Sequence, residues 1–592
     1  MPDTHTDDTP MVHATINDMA VTVPRGTTIL DAATHANIKI PTLCKHEDLP
    51  ATAACGICVV KIKGRAQMVR ACATPIEDAM EVITQDPEII QTRRTTLELI
   101  LSAHPNECLT CARHGTCELQ KLAEDFGITR QPLPELVPDL PVDPSTRAVV
   151  LEPRKCIKCG RCITVCQQMQ DVWALSMLNR GIDTRMSSAG DISLDESPCI
   201  RCGQCSAHCP VGAIYEHDDT RHVWNALMDP DIHCVAQIAP AVRVSLGEAF
   251  GYPPGTNIVG QVYECLRLLG FDTVFDTNFG ADVTIMEEAS EFVHRLTGET
   301  GPLPLITTCC PSWVDFMEKF YSDMIPHFSS CKSPHEILGV LTKTYYAQHK
   351  GIDPASIRVI SIMPCTAKKY EIGRTDEMFA SGFQDVDISI TTREFIRMIR
   401  QSGIDLTQLN CLAQADSPLG EYSGAGTIFG TTGGVMEACL RTTNYLLTGD
   451  DSKTVEAMDA RGYDGVKQLS IQIGERTVRG AVAHGIGYVE QVLQAVKQAA
   501  HNDEKPPFDI IEVMACPGGC IGGGGQSWTT SEVIRHKRSE GLYKDDSVRQ
   551  ARCSHQNPSV KKLYERFLHE PLSDKAHSLL HTRYTPRVQY SR

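Results

Sequence analysis

The chain has 592 residues, more than one compact domain normally holds, so several domains are expected. Its 56 Lys and Arg against 73 Asp and Glu give a net charge of −17, which argues against a nucleic-acid partner, and no apolar run is long enough to cross a membrane. Twenty-six cysteines fall largely in C-x-x-C clusters within a long chain whose acidic start lacks a signal-peptide pattern, so metal sites rather than disulfides, and a cytoplasmic location, are expected.

Residues 1–9 read as a disordered tail. Alternating apolar residues from Met11 to Val23 predict a hairpin, and Thr28 to His35 a short helix. Then follow Cys44, Cys55, Cys58 and Cys72, a C-x10-C-x2-C-x13-C pattern whose small-residue loop at Cys55 and Cys58 suits a cluster wrapped by backbone amides. A structural zinc site would use the same four thiolates. The pattern resembles the plant-type [2Fe–2S] ferredoxin domain of the hydrogenase and respiratory NADH dehydrogenase families, which implies a β-grasp domain over residues 10–86.

A helix predicted from Thr95 to Leu101 leads into His104, Cys108, Cys111 and Cys117, spaced H-x3-C-x2-C-x5-C. An imidazole in place of a thiolate changes a cluster's net charge and hence its potential. The spacing resembles the His-ligated [4Fe–4S] module of the same two families, over residues 87–147, with His104 as ligand and His114 as its rival.

After a proline-rich linker, Cys156, Cys159, Cys162 and Cys166 form one C-x2-C-x2-C-x3-C run, and Cys199, Cys202, Cys205 and Cys209 the second. In the bacterial two-cluster pattern the fourth cysteine of each run serves the other cluster. Cys156, Cys159, Cys162 and Cys209 are therefore expected to hold one cubane, and Cys199, Cys202, Cys205 and Cys166 the other, within residues 148–225. Gln167 stands where the pattern has proline.

From residue 226 strands and helices alternate. Strands are predicted at Val235 to Ile238, Asp272 to Phe275, Leu303 to Thr307, Ile357 to Ile362 and Phe508 to Val513, and a helix at Gln261 to Leu269. The last three strands run into loops carrying Cys309 and Cys310, Cys365, and Cys516 with Cys520. Four thiolates from three loops could hold a buried cubane or a zinc ion; spacing alone leaves both open. The segments TCCPSW, MPCTAKKYE and EVMACPGGCIGGGGQ resemble, in order and separation, the three signatures of the iron-only ([FeFe]) hydrogenases, of the multi-cluster type similar to NADP-reducing catalytic subunits. Ser312 stands where many members carry glycine.

The resemblance, which covers residues 226–528, implies a multidomain α/β protein whose H-cluster domain binds a [4Fe–4S] cubane through Cys310, Cys365, Cys516 and Cys520. Cys520 would bridge to a two-iron unit with CO, CN⁻ and azadithiolate ligands, and one [2Fe–2S] and three accessory [4Fe–4S] clusters would carry electrons. It further implies Cys309 as first proton acceptor, Glu288, Ser329 and Glu291 as the relay beyond it, and Lys368 beside the cyanides, with Lys369 the solvated neighbour. Met363, Met514 and Pro240 would line the cofactor. No Walker loop or GxGxxG is present, so nicotinamide chemistry is assigned to partner subunits that bind flavin and NAD(P) or are ferredoxin-like, or else electrons pass to ferredoxin. Hydrogenase maturation proteins are the other implied partners. A non-catalytic H2-sensing or iron–sulfur assembly protein is the alternative. Cys234, Cys265, Cys331, Cys411, Cys439 and Cys553 have no ligand spacing and are expected to be mostly buried apolar residues. Residues 529–592 resemble the fused form of a small subunit that wraps the catalytic domain, a small helical segment expected to carry no chemistry.

Overall fold

The computed structural model describes residues 10–451, 455–462, 465–528 and 530–590; the tail expected at residues 1–9 lies outside them. At the front, β1 (Met11–Ile16) and β2 (Met19–Pro24) form the expected hairpin, turned by Asn17 and Asp18 at φ 49° and 65°. Both central residues at positive φ match the twist of the strands, and asparagine and aspartate tolerate that conformation. With β3 (Val59–Ile62), β4 (Val69–Arg70) and β5 (Glu81–Ile83) they make a sheet ordered β2-β1-β5-β3-β4, in which β1 and β5 run parallel. The helix Ile29–His35 packs on it, its first turn capped by Thr28, whose side chain accepts from Asp31 N–H. This is the β-grasp arrangement.

The helix expected from Thr95 begins about two turns earlier, at Pro87–Ser102. Asp86 caps it by accepting from Ile89 N–H, and proline at the first position needs no donor there, a start signal carried by two adjacent residues. Farther on, β6 (Val149–Leu151) pairs antiparallel with β9 (Ile214–Glu216), flanking the two cysteine runs. The 32 residues between the runs fold as their own hairpin, β7 (Leu175–Leu178) with β8 (Arg185–Ser188).

Two four-stranded sheets build the rest. The first is ordered β11-β10-β13-β14 and wholly parallel, from β10 (His233–Ile238), β11 (Thr273–Asp276), β13 (Ile357–Met363) and β14 (Ile388–Thr391). The second is ordered β12-β17-β16-β15, with β12 (Leu305–Ile306), β15 (Val466–Ile473), β16 (Arg476–His484) and β17 (Ile510–Met514). Strand alternation divides the first sheet between two cores. Ala236, Ile238, Ile360 and Ile362 pack on one side, and Val235, Ile357 and Val359 on the other. A parallel sheet covered on both faces accounts for the nearly continuous apolar runs in β10 and β13. The three signature loops leave the carboxyl ends of β12, β13 and β17, where open α/β sheets place their ligands.

The C-terminal segment contributes the helices Glu532–Val548, Pro558–Leu563 and Asp574–Leu580. Arg535 donates to both oxygens of Asp48 in the front domain at 2.7 and 2.8 Å, and Arg538 donates to the Ile521 carbonyl at 2.8 Å. Among the described residues no helix is long and apolar enough to cross a membrane.

Candidate functional site

The three loops close around one apolar cavity. Cys310, Cys365, Cys516 and Cys520 line it, as do Cys309, Lys368, Met363, Met514 and Pro240. Burial pushes the four thiols up, and Cys310 and Cys365 further raise both Cys516 and Cys520. A set of buried thiols that oppose one another's ionisation is a donor set suited to a metal group, whose positive charge removes that opposition. The glycine loop lies tight against the surrounding backbone. A Cβ at Gly523 would fall 2.1 Å from the Pro364 carbonyl, and one at Gly519, φ 92°, 2.7 Å from Thr432 N. These positions admit only glycine.

Lys368 is buried at the cavity wall. Its Nζ donates to Glu371 Oε2 at 2.6 Å and to the Cys309 carbonyl at 3.2 Å. Burial opposes its charge, but Glu371 outweighs that and raises its pKa. Glu371 also accepts from Ser333 Oγ at 3.0 Å and lies 2.6 Å from His335 Nε2. His335, another wall residue, and Glu371 escaped the sequence reading, although Glu371 falls just after the MPCTAKKYE motif's lysines, within that segment. Lys369 corrects an expectation. It is not solvated but 2% exposed, its Nζ 2.6 Å from Asp219 Oδ2, 2.9 Å from Glu394 Oε1 and 2.9 Å from the Ser389 carbonyl. On the short helix Lys368–Glu371 the two lysines point to different buried carboxylates.

Behind Cys309 lies the helix Thr277–Thr297, started by Asp276, whose side chain accepts from Asn278 N–H. It carries Glu288 and Glu291 on one face. Burial pushes the Glu288 carboxyl up to about 8 against the opposing Ser329 hydrogen bond, and its Oε2 is buried without a partner. Glu288 is near enough to raise the Cys309 thiol, although burial is the larger cause. Glu291 accepts from Arg295 Nη2 at 2.6 Å and from the Ser330 backbone N–H and hydroxyl at 3.1 Å each. Arg295 and Ser330 were not singled out in the sequence; Ser330 reaches Glu291 by a fold contact, whereas Arg295, four residues on along the same helix, carried the local spacing of an ion pair.

The front cysteines gather as their spacing predicts. Cys44 contacts the thiols of Cys55 and Cys72, and Cys72 that of Cys58. Of the two histidines in the next module, His114 is exposed, whereas His104 is held down to about 4 by burial and its Nδ1 is buried with no partner. An orphaned imidazole nitrogen in a pocket wall shared with Cys108 and Cys117 fits a metal ligand. In the paired runs, Cys156, Cys159 and Cys209 bear on Cys162 ahead of Cys205, and Cys199 and Cys166 bear on Cys205 ahead of Cys209, the order that a crossed grouping gives.

The Cys44 loop and the His104 module both adjoin the first paired set, and the second paired set adjoins the cavity. Thr52 Oγ1 donates to the Cys159 carbonyl at 2.8 Å, so the first loop abuts the first cubane set. A Cβ at Gly212 would fall 2.4 Å from Cys111 Sγ, which sets the His104 module beside the strand that follows Cys209. At the other end Cys516 is among the groups that raise Cys202, after burial and Cys205. Gln204 Nε2 donates to the Gly522 carbonyl at 3.0 Å, and Thr366 Oγ1 to the Arg201 carbonyl at 2.9 Å. Five of the six unassigned cysteines are buried and Cys411 is exposed.

Comparison with known proteins gives a consistent set of relatives. The C-terminal domain of the iron-only hydrogenase large subunit matches residues 232–524, and the iron hydrogenase small subunit matches residues 532–587. Ahead of them a 2Fe-2S iron–sulfur cluster binding domain matches residues 9–87, the NADH-ubiquinone oxidoreductase-G iron–sulfur binding region residues 93–132, and a 4Fe-4S dicluster domain residues 155–213. The chain is 44% identical over 589 residues to the NADP-reducing hydrogenase subunit HndD of Solidesulfovibrio fructosivorans, covering 98% of this chain and 99% of that one. It is 37% identical to iron hydrogenase 1 of Clostridium pasteurianum, covering 96% and 99%. A solved variant of the [FeFe]-hydrogenase HydA1 from Chlamydomonas reinhardtii is 40% identical with a TM-score of 0.55, covering 62% of this chain and 99% of that one.

Proposed function

The chain belongs to the iron-only hydrogenases, and from that premise we propose how its residues divide the work of reversible H2 oxidation. It is a catalytic hydrogenase with accessory iron–sulfur domains, and the reading as a sensor or assembly protein is not favoured. The observation that carries the proposal is the convergence of Cys310, Cys365, Cys516 and Cys520 on one apolar cavity that Cys309 and Lys368 also line.

These four thiolates would hold the H-cluster, a [4Fe–4S] cubane with a two-iron unit bearing CO, CN⁻ and azadithiolate, Cys520 being the thiolate that would lie between the two parts. When bound, the cluster supplies the redox chemistry of heterolytic H2 cleavage. Met363, Met514 and Pro240 exclude water from it. Lys368 keeps its charge through Glu371 and presents the ammonium to anionic ligands of the site, a charge-assisted contact. Cys309 takes up the released proton at Sγ and passes it to Glu288, which stays protonated at neutral pH and so can donate as well as accept. Ser329 and Glu291 carry it onward. Cys516 lies near Cys202, so clusters held by the paired cysteine runs, by the His104 set and by the Cys44 set would supply the electron path away from the cavity. These ligand sets would take three accessory [4Fe–4S] clusters and one [2Fe–2S].

The NADP-reducing role in the name of the HndD relative supports NAD(P)-linked flavin subunits as electron partners, with ferredoxin as the other acceptor. The use of so many thiols as metal ligands supports a reducing, cytoplasmic location.

Infrared spectra of anaerobic protein, co-expressed with hydrogenase maturation proteins, test the site. Sharp CO and CN⁻ stretches that shift between H2 and CO atmospheres are expected. Their absence from protein with full iron–sulfur signals and confirmed maturation would sink the proposal.

A further inference from the structure

The C-terminal segment, expected to carry no chemistry, reaches the outer end of the acidic helix. Residues 580–582 run beside residues 330–332: Lys332 N–H donates to the Leu580 carbonyl and Thr582 N–H to the Ser330 carbonyl, each at 2.8 Å, with Cys331 bridged antiparallel to His581. This pairing fixes the His581 ring against two glutamates four residues apart on the helix, which share a face. Its Nδ1 lies 2.8 Å from Ser330 Oγ and its Nε2 lies 3.1 Å from Glu287 Oε2. Ser330 Oγ is in turn 3.1 Å from Glu291 Oε2. An unbroken set of hydrogen bonds therefore runs from Glu291 through Ser330 to His581. His581 is buried, while His577, whose ring centroid is 4.2 Å away, is exposed.

We propose that His581 is the outer proton carrier of this enzyme, exchanging protons with Glu291 through the Ser330 hydroxyl and with solvent at His577. The proposal rests on the relay reading of Cys309, Glu288, Ser329 and Glu291. The transfer balances without any added reagent. A proton on Glu291 passes to Ser330 Oγ as the Ser330 hydroxyl proton passes to His581 Nδ1, leaving Glu291 a carboxylate and the ring an imidazolium. Glu287 Oε2 accepts from Nε2–H and so pairs that cation with a carboxylate. The imidazolium then gives up a proton to water beside the exposed His577 and returns to the neutral ring, and H2 evolution runs the same steps in reverse.

A purely structural role accounts less well for an imidazole at this position. The tail is already held by the two backbone hydrogen bonds, and Glu287 is already bonded by the Tyr564 hydroxyl and by Leu572 N–H, the latter at 2.8 Å. An apolar ring would complete that packing. What imidazole adds is a group that takes and gives protons near neutral pH through two separate nitrogens.

The test uses the full, matured chain in wild-type, His581→Ala, Ser330→Ala and Glu288→Gln forms, assayed for H2 oxidation and proton evolution with a redox dye. Iron content and the infrared spectrum are checked in each. His581→Ala and Ser330→Ala are expected to slow turnover by about tenfold or more, with an enlarged solvent deuterium effect. Free imidazole is expected to restore His581→Ala but not Ser330→Ala, a rescue that lost packing would not show. Wild-type turnover in His581→Ala, or a loss that imidazole leaves unchanged in protein with intact spectra, overturns the proposal. If His581→Ala loses its iron, Ser330→Ala decides: wild-type turnover there overturns the proposal, and loss with an enlarged isotope effect supports it. Wild-type turnover in Glu288→Gln as well would instead bring down the relay reading itself.

Discussion

Gln204 and Gly522 meet where the accessory clusters give way to the cavity: the buried amide donates to the glycine carbonyl at 3.0 Å and also contacts the Cys516 thiol. One side chain thus ties the second cysteine run to the glycine loop and donates toward a thiol of the proposed cubane. Gln204→Leu keeps much of the volume and removes both hydrogen bonds. Leaving the Gly522 carbonyl unpaired is expected to cost about 1–3 kcal/mol. Loss of a donor to cluster sulfur is expected to lower the cubane's potential. Redox titration should show that fall, and H2-dependent dye reduction should slow while H/D exchange at the active site persists. Unchanged potential and unchanged dye reduction would count against the junction.

Glu288 gives a signed pH prediction. Burial pushes its carboxyl up to about 8, so the stability it lends is complete below the ordinary glutamate range near 4.5 and is lost as pH rises through about 8. Glu512, pushed up to about 7 by burial despite accepting from Gly433 and Met436 N–H, acts in the same direction. Glu288→Gln removes one of the two groups. Its melting temperature is therefore expected to fall less than that of wild type across this window, while its turnover drops by about 10²–10⁴. Cys309→Ser should show a comparable loss of turnover, since a serine hydroxyl is a far weaker acid than a thiol. Equal pH slopes for Glu288→Gln and wild type would refute the assignment of the titration to Glu288.

His104 and its orphaned Nδ1 predict a redox phenotype. His104→Ala should lose the iron of one cluster, seen as a missing paramagnetic signal, while the other clusters remain. His104→Cys should keep the cluster and lower its potential, because a thiolate adds negative charge where the neutral imidazole had none. Retention of every cluster in His104→Ala would transfer the ligand role elsewhere.

Lys369 predicts a stability effect without a chemical one. Replacing it by alanine leaves Glu394, fully buried, and Asp219 without their shared cation. Breaking such a buried group by removing one partner costs about 3–5 kcal/mol. Chemical denaturation should register that loss. Surviving Lys369→Ala protein, assayed at low temperature, should turn over H2 at the wild-type rate, whereas Lys368→Ala should not.

The grouping of the cysteine runs was legible because side chains that gather locally are written in short spacings. The crossed grouping of Cys166 with Cys199, Cys202 and Cys205 needs only the pattern of the two runs. The strands at the cavity were legible too, since β10 and β13 are covered on both faces and read as apolar runs. Helix ends were less so: Pro87 opens its helix because Asp86 caps it, a local signal outweighed by the later apolar spacing. What stayed hidden depends on contacts between distant residues. Lys369 finds Asp219 at a separation of 150 residues, and Ser330 finds His581 at 251. A lysine beside a lysine, or a histidine in a surface-like helix pair, carries no local mark of burial. Gln204 likewise became informative only when its partner, Gly522, 318 residues away, was placed.

The tail that reaches Asp48, Ile521 and Ser330 belongs to the same covalent chain as the domains it packs against. Its docking is therefore an intramolecular equilibrium governed by an effective concentration of the order of millimolar for short connections, not by how much protein is in solution. Dilution, which would strip a separately encoded segment from its large subunit by mass action, leaves this one seated. The enzyme's activity per molecule should then be the same at trace and at high concentration.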